Sequence, residues 1–484
     1  MPNLLDSASN LRAALIGREF SAHDLLAATL DAIARLNPAL DAIVHLDIAG
    51  AWKAAAASDE RIAQGRAGAL EGLPVTIKDC FEVAGMPATA GAPALRGYVP
   101  KIDAPAVARL RRAGANIIGK TNVPIFAGDF QTYNKIYGTT NNPWNLNFSP
   151  GGSSGGAAVA VAAGLSAFEL GSDLAGSIRW PGHCCGIFGL KATWDFVSAY
   201  GHIPPLPEKR LERNPELLSF GPLARSAADL SLSLDVIAGP RDPLMPARAL
   251  LPARARGPKG LRVALWLDEA FAPVDASVAE AVRKAALMLE DAGALVDESA
   301  RPAFSFEEAF EVAAVLIHAL IGAGLPETVR GRLAAAERVF VTGDLSHRAL
   351  QWRGLNLTAA DYSSLMARRR RLCEKWAKFF ENIDVVLCPP APVGAILHDH
   401  RPDLHSRSIP VNCTQRPYYD LILWSCLATG AGLPAAVAPI LLGPDGLPRG
   451  VQIIAANAED HTAIACAHMF EMLGACVKAP PIGP

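Results

Sequence analysis

The nine cysteines of this chain include no Cys-x-x-Cys pair and follow no regular spacing. An odd, irregular set argues against a disulfide framework and against a thiolate metal site, and it fits reduced thiols in a cytoplasmic protein. Adjacent Cys184 and Cys185 read as small core residues. Nor does one sign of charge dominate: 45 Lys and Arg stand against 47 Asp and Glu. The one basic run, Arg368 to Arg371, falls in a helical pattern and is expected on a solvated helix face. Nucleic acid is therefore not an expected partner. The N-terminus lacks the basic-then-apolar pattern of a secretory leader. The most apolar long run, Val312 to Leu325, is shorter than the ~20 residues a membrane span needs, and a buried helix is expected there.

What is present describes a large globular chain. Its 484 residues are 51% apolar and 19% charged, which gives one large domain, or a domain with a sizeable insertion. Helices are expected after the Ser21-x-x-Asp24 box, closed by Pro38, and from about Asp47 to Arg66. Leu73 to Asp79 reads as a β-branched strand ending in Lys78-Asp79. A helix near Pro105 to Gly114 and a strand over Ala115 to Gly119 follow, then a turn-rich loop from Thr121 to Pro150. Further strands are expected at Phe168 to Gly171, Leu261 to Leu267, near Ala294, at Asp384 to Cys388 and at Val451 to Ala455. Helices are expected at Ala227 to Ile237, Val274 to Ala292, most of Phe306 to Leu372, and Asp460 to Leu473. Val393 to Tyr419 reads as irregular. The alternation implies a mixed or parallel sheet of the α/β class.

The stretch from Ser149 to Thr193 organises the rest. Its glycines and serines are interrupted by apolar runs, by Asp173 and by Arg179, unlike a flexible linker. A phosphate loop needs a Lys after the glycines, and none is there. Gly152-Ser153-Ser154-Gly155-Gly156 does match the G-x-S-x-G of a nucleophile elbow. That motif needs a strand before it, and Asn145 to Pro150 does not read as one. Ser177 ends a tight turn of small residues whose backbone N–H groups can converge as an oxyanion hole does. It is a candidate nucleophile that lacks an evident histidine base; His183 reads as core or as a supporting group. A desolvated lysine can serve as a base instead. Lys78 has two readings, a strand end emerging into water or an interior amine of lowered pKa.

The ordered blocks GGSSGG (151–156), GSDLAGSIRWPG (171–182) and GIFGLKAT (186–193) resemble the amidase signature family. So do Ile77-Lys78-Asp79, KTNVPIFA (120–127), GTTNNPW (138–144), GPLARS (221–226), DVVLCPPAP (384–392), AGLPAAVAP (431–439) and GVQI (450–453). The resemblance spans about residues 5 to 475. It implies a large mixed β-sheet sandwiched between layers of α-helices. It also implies one domain over 1–484: N-terminal helices to 66, a catalytic core over 67–240, a substrate roof over 241–430, and a closing strand and helix over 431–484. It further implies a Ser–cis-Ser–Lys triad, with Ser177 as nucleophile, Ser153 after a cis peptide as bridge and Lys78 as base. The N–H groups of Leu174, Ala175, Gly176 and Ser177 are the implied oxyanion donors. Ala127 is the implied substrate-facing backbone position. Ser154 is the implied support for Lys78, and Asp173 and Arg179 read as ordering the loop.

The implied chemistry is hydrolysis of an amide to a carboxylate and an amine or ammonia, extending to esters, anilides or carbamates. It needs no metal and no cofactor. The partner is a small-molecule amide and the protein a monomer or homodimer, with no membrane. The alternative is a glutamine-hydrolysing subunit of a tRNA amidotransferase, and a third reading is a catalytically dead scaffold. Four departures from the family pattern stand out, one of them Gly182 where alanine is common. Ala175 replaces a glycine beside the nucleophile, Trp180 a small β-branched residue, and Ala192 a proline.

Overall fold

The computed structural model describes residues 2–209, 213–242, 244–325, 327–335, 343–475, 477 and 479–483. Eleven strands among them pair into one mixed sheet. In spatial order these are Ile43–Leu46, Asn116–Thr121, Pro74–Lys78, Phe168–Asp173, Ser219–Ala224, Phe188–Lys191, Ala435–Leu442, Pro448–Ala455, Val385–Cys388, Arg262–Leu265 and Leu295–Asp297. Alternate side chains enter two different cores. Val385 and Leu387 join one, while Val386 and Cys388 join the other. A strand alternates faces at every residue, so both faces of the sheet are covered. The first core takes in helices Ala227–Ile237, Ala276–Asp291 and Asp460–Met472. The second takes in Phe306–Gly324, Ala359–Phe379 and Ser425–Ala431. The sheet is thus sandwiched between helical layers. No helix among the described residues is long and apolar enough to cross a membrane.

Pro74–Lys78 runs parallel to both its neighbours, Asn116–Thr121 and Phe168–Asp173. Parallel strands bring their C-terminal ends to one edge of the sheet, where α/β folds gather ligand-binding groups. Lys78 and Asp173 end two adjacent parallel strands and so lie at that edge. Val75 and Ile77 enter the first core, so alternation turns Thr76 and Lys78 to the opposite face. Every residue of this strand is buried. The reading of Lys78 as a strand end in water is therefore excluded.

Several expectations need correction. The helix after Ser21 does carry the Ser21/Asp24 capping box, but it continues through Pro38 to Leu40. Pro38 lies in the last turn, where its missing N–H removes a single bond. The segment 393–419 is not wholly irregular, because Ser408–Val411 and Thr414–Pro417 form an antiparallel hairpin. Strands Ile43–Leu46, Phe188–Lys191, Ser219–Ala224 and Ala435–Leu442 add to those expected. The Arg368–Arg371 run is only half solvated. Arg368 pairs with Glu311, and Arg369 pairs with Glu216 and donates to the Gly430 carbonyl. Within the helical stretch expected over Phe306 to Leu372, residues 326 and 336–342 lie outside the described residues.

Candidate active site

Lys78 is fully buried, and its Nζ has four polar neighbours, all of them serine oxygens. Ser153 Oγ lies at 2.7 Å, Ser154 Oγ at 2.8 Å, Ser172 Oγ at 2.9 Å and the Ser172 carbonyl at 3.3 Å. Among the described residues no carboxylate hydrogen-bonds to it. Burial pushes its pKa down to about 8, against the upward pull of Cys80, Asp173 and Glu169. An ammonium held in the interior without a counter-ion is costly, whereas a neutral amine there is not.

Two chain segments bring the serines to the amine, the loop at 152–154 and the end of the strand Phe168–Asp173. The Gly152–Ser153 peptide is cis. Gly152 fits against the backbone of residues 129–131, and a Cβ there would stand 2.7 Å from Gln131 N and 2.8 Å from Asp129 O. The helix Gly155–Ala162 starts directly after Ser154 and is buried throughout. It lies equally close to its neighbours, since a Cβ on Gly156 would stand 2.5 Å from Asn122 N. Small side chains are what permit this approach. Ser154 N–H donates to the Ser177 carbonyl at 3.2 Å, which ties the two serine loops together. Ser177 itself is 8% exposed, more than Ser153 at 1% or Ser154 at 0%. No hydrogen bond joins the Ser153 and Ser177 hydroxyls in this resting arrangement.

The loop from Leu174 to Ser177 modifies one expectation. Gly176 N–H donates to Asp173 Oδ1 at 2.8 Å, so it is engaged inside the loop rather than open to a ligand. The N–H groups of Leu174, Ala175 and Ser177 have no acceptor among the described residues. The left-handed position of the turn is Gly176, at φ +104°, while Ala175 stays out of that region. Alanine at 175 thus meets no backbone conflict.

Asp173 and Arg179 form a fully buried two-pronged pair, with Nε–Oδ2 at 3.0 Å and Nη2–Oδ1 at 2.8 Å. Burial alone would raise the Asp173 pKa, but the Arg179 charge and hydrogen bonds outweigh it and hold the carboxyl well below its usual range. Asp173 also accepts from Ile178 N–H at 3.1 Å. Arg179 reaches across to the Ser425 carbonyl, Thr429 Oγ1 and Gln452 Oε1. The pair fixes the loop to elements of the distant C-terminal half.

His183 accepts from Gly450 N–H and donates to the Val393 carbonyl, which is a packing role. Cys184 and Cys185 are buried in the helix Arg179–Cys185. Ala127 sits in a turn with its N–H bonded to the Pro124 carbonyl and packs beside a small cluster that includes Cys80 and Val123. It makes no hydrogen bond to Lys78, Ser153 or Ser177. The segment 393–419 is anchored to the loop under Gly152. Arg407 pairs with Asp129 at 2.8 Å, Tyr418 donates to Asp129 Oδ1 at 2.6 Å, and Asp399 N–H donates to Gln131.

Two residues at the site escaped the sequence reading. Ser172 holds Lys78, and His202 Nε2 lies 3.0 Å from Ser172 Oγ. Ser172 had a signal of sorts, its place immediately before Asp173 at the end of a strand. His202 stands in Gly-His-Ile-Pro-Pro with nothing in its spacing to point at Lys78.

A buried lysine–serine cluster at the ends of parallel strands, on a mixed sheet covered by helices, defines a protein of the amidase signature type. The family model described as Amidase matches residues 24–464, and the chain belongs to that family. It is 34% identical to an indoleacetamide hydrolase of Bradyrhizobium diazoefficiens, over 96% of this chain and 86% of that protein. It is 33% identical to one subunit of the glutamyl-tRNA(Gln) amidotransferase of Acidothermus cellulolyticus, over 93% and 90%. Among solved structures it is similar to a bacterial aryl acylamidase of the amidase signature family, with TM-score 0.82 and 26% identity over 99% and 98% of the two chains. This membership supports hydrolysis of a C–N amide bond as its activity.

Proposed function

We propose that the protein hydrolyses linear amides through an acyl-enzyme on Ser177, with Ser153 as proton bridge and Lys78 as base. The observation that carries this reading is Lys78: buried, without a carboxylate partner, and 2.7 Å from Ser153 Oγ. Neutral Lys78 accepts the Ser153 proton while Ser153 takes the proton of Ser177. Ser177 Oγ attacks the amide carbon. The developing oxyanion is held by the N–H groups of Leu174, Ala175 and Ser177. As the tetrahedral intermediate collapses, the bridge returns the proton to the leaving amine and the C–N bond breaks. Water then repeats the sequence on the ester, which frees the carboxylate and restores Ser177. The Ser177 hydroxyl, unpartnered at rest, turns to Ser153 when substrate fills the site; such bonds often tighten only in the complex.

The base must be neutral, so activity is lost as pH falls through the lysine's pKa. Because that pKa is lowered from 10.5 to about 8, log kcat/KM is expected to rise with unit slope below about pH 8 and to level above it. A flat profile between pH 6 and 9 would remove Lys78 as the base. Esters, anilides and carbamates share the carbonyl chemistry and belong beside primary amides in the assay panel.

The 33% identity to an amidotransferase component favours a second reading, a glutamine-hydrolysing subunit that works with a partner. Purified protein decides between them. Turnover of simple amides by the chain alone supports the first reading. Glutamine hydrolysis seen only with a partner present supports the second.

A further inference from the structure

His202 is buried 124 residues downstream of Lys78 and lies one residue removed from it, through Ser172. We infer that His202 is a positioning residue that keeps the lone pair of Lys78 free for Ser153 by fixing the direction in which the Ser172 hydroxyl donates. The inference rests on the assignment of Lys78 as base.

The directions follow from hydrogen-bond chemistry. His202 Nδ1 lies 3.1 Å from the Pro204 carbonyl. A carbonyl only accepts, so Nδ1 carries the hydrogen. Burial, together with nearby Lys78, keeps the imidazole neutral by lowering its pKa to about 3. Nε2 is therefore an acceptor, and at 3.0 Å it takes the Ser172 O–H. With its one proton so committed, Ser172 Oγ can only accept from Lys78 at 2.9 Å. Ser154 Oγ donates to the Ser172 carbonyl at 3.4 Å and accepts from Lys78 at 2.8 Å.

A neutral amine has two N–H groups and one lone pair. Ser154 Oγ takes one N–H and Ser172 takes the other, shared between its Oγ at 2.9 Å and its carbonyl at 3.3 Å, so the lone pair faces Ser153 at 2.7 Å. Without an acceptor at Nε2, the Ser172 O–H is free to swing round and donate to Lys78. The lone pair is then spent on a hydroxyl that takes no part in the chemistry. The rings of Phe81 and Phe220, with centroids 5.0 and 5.1 Å from that of His202, hold the imidazole in place.

The test is a double-mutant cycle between His202 and Ser172, read as kcat and KM on one good amide substrate. His202→Phe keeps the ring packing and removes the acceptor. It is expected to lower kcat about tenfold, the worth of one competing hydrogen bond, with KM unchanged because His202 touches no substrate. His202→Gln offers a carbonyl oxygen to Ser172 and is expected to recover most of the loss. In a Ser172→Ala background there is no hydroxyl to misdirect, so adding His202→Phe is expected to cost nothing further.

Wild-type kcat in His202→Phe, or the same loss in both backgrounds, overturns the inference. Should His202→Phe not fold, His202→Gln, with and without Ser172→Ala, carries the test: a tenfold loss in both backgrounds overturns it and near-wild-type kcat supports it. A fluorophosphonate adduct mapped on the wild-type protein separates the two levels. An adduct absent from Ser177 removes the underlying reading, whereas an adduct at Ser177 with equal losses in both backgrounds removes only the role of His202.

Discussion

Ser177→Ala is expected to lower kcat by about 10⁴- to 10⁶-fold, the range seen when a serine nucleophile is removed from a hydrolase. The thermal transition should stay in place, because the Ser177 side chain makes no hydrogen bond among the described residues to lose. A fluorophosphonate should add its mass to the tryptic peptide that contains Ser177, and Lys78→Ala should abolish the labelling. The competing assignment is Ser154, which occupies the serine position of the G-x-S-x-G match. Its hydroxyl is fully buried and already engaged with Lys78 and the Ser172 carbonyl, so Ser154→Ala is expected to retain labelling at Ser177. An adduct on Ser154 would sink the triad and revive the elbow.

Arg179→Met should unfold the protein more readily by about 3–5 kcal/mol, the usual cost of leaving a buried ion without its partner. Denaturant midpoints at neutral pH measure this. Arg179→Lys is expected to fall short of wild type as well, because an ammonium cannot reproduce the fork to Asp173 or reach three further acceptors in fixed directions. The pH dependence carries the same signature. The Asp173 carboxyl is held below its ordinary 3.8, so its contribution is complete above that value. It drains away as acid protonates the folded form. In Arg179→Met the acid limb of stability should flatten. A variant as stable as wild type would mean that the pair only orders the loop.

The outer parts of the fold could be read directly because their signals are local. The helix Ala227–Ile237 has the boundaries expected from its sequence. The Ser21/Asp24 box caps a helix whose apolar face repeats at helical spacing. The middle of the sheet was harder. Ala435–Leu442 is built of small residues with a proline inside and is buried on both faces over most of its length. It therefore lacks the alternation that marks a half-exposed strand.

At the site, Lys78 was ambiguous because a terminal lysine suits a strand end in water equally well. Only the parallel neighbours on both sides place it inside. The Ser153, Ser154 and Ser177 positions came from ordered motif blocks. Nothing in the sequence tells which amides of the loop Asp173 takes, so the Gly176 N–H reads there as one more oxyanion donor. His202 was invisible for a similar reason, since its bond to Ser172 depends on how two distant turns dock.

The reach of Arg179 also bears on the order in which the chain is made. Lys78, Ser153, Ser172, Ser177 and His202 all emerge within the first 202 residues. The acceptors that hold the Arg179 fork, at Ser425, Thr429 and Gln452, are synthesised more than two hundred residues later. The side chains of the proposed site are thus synthesised well before the groups that brace the loop beside them. Bracing of that loop waits until the far half of the sheet has been added.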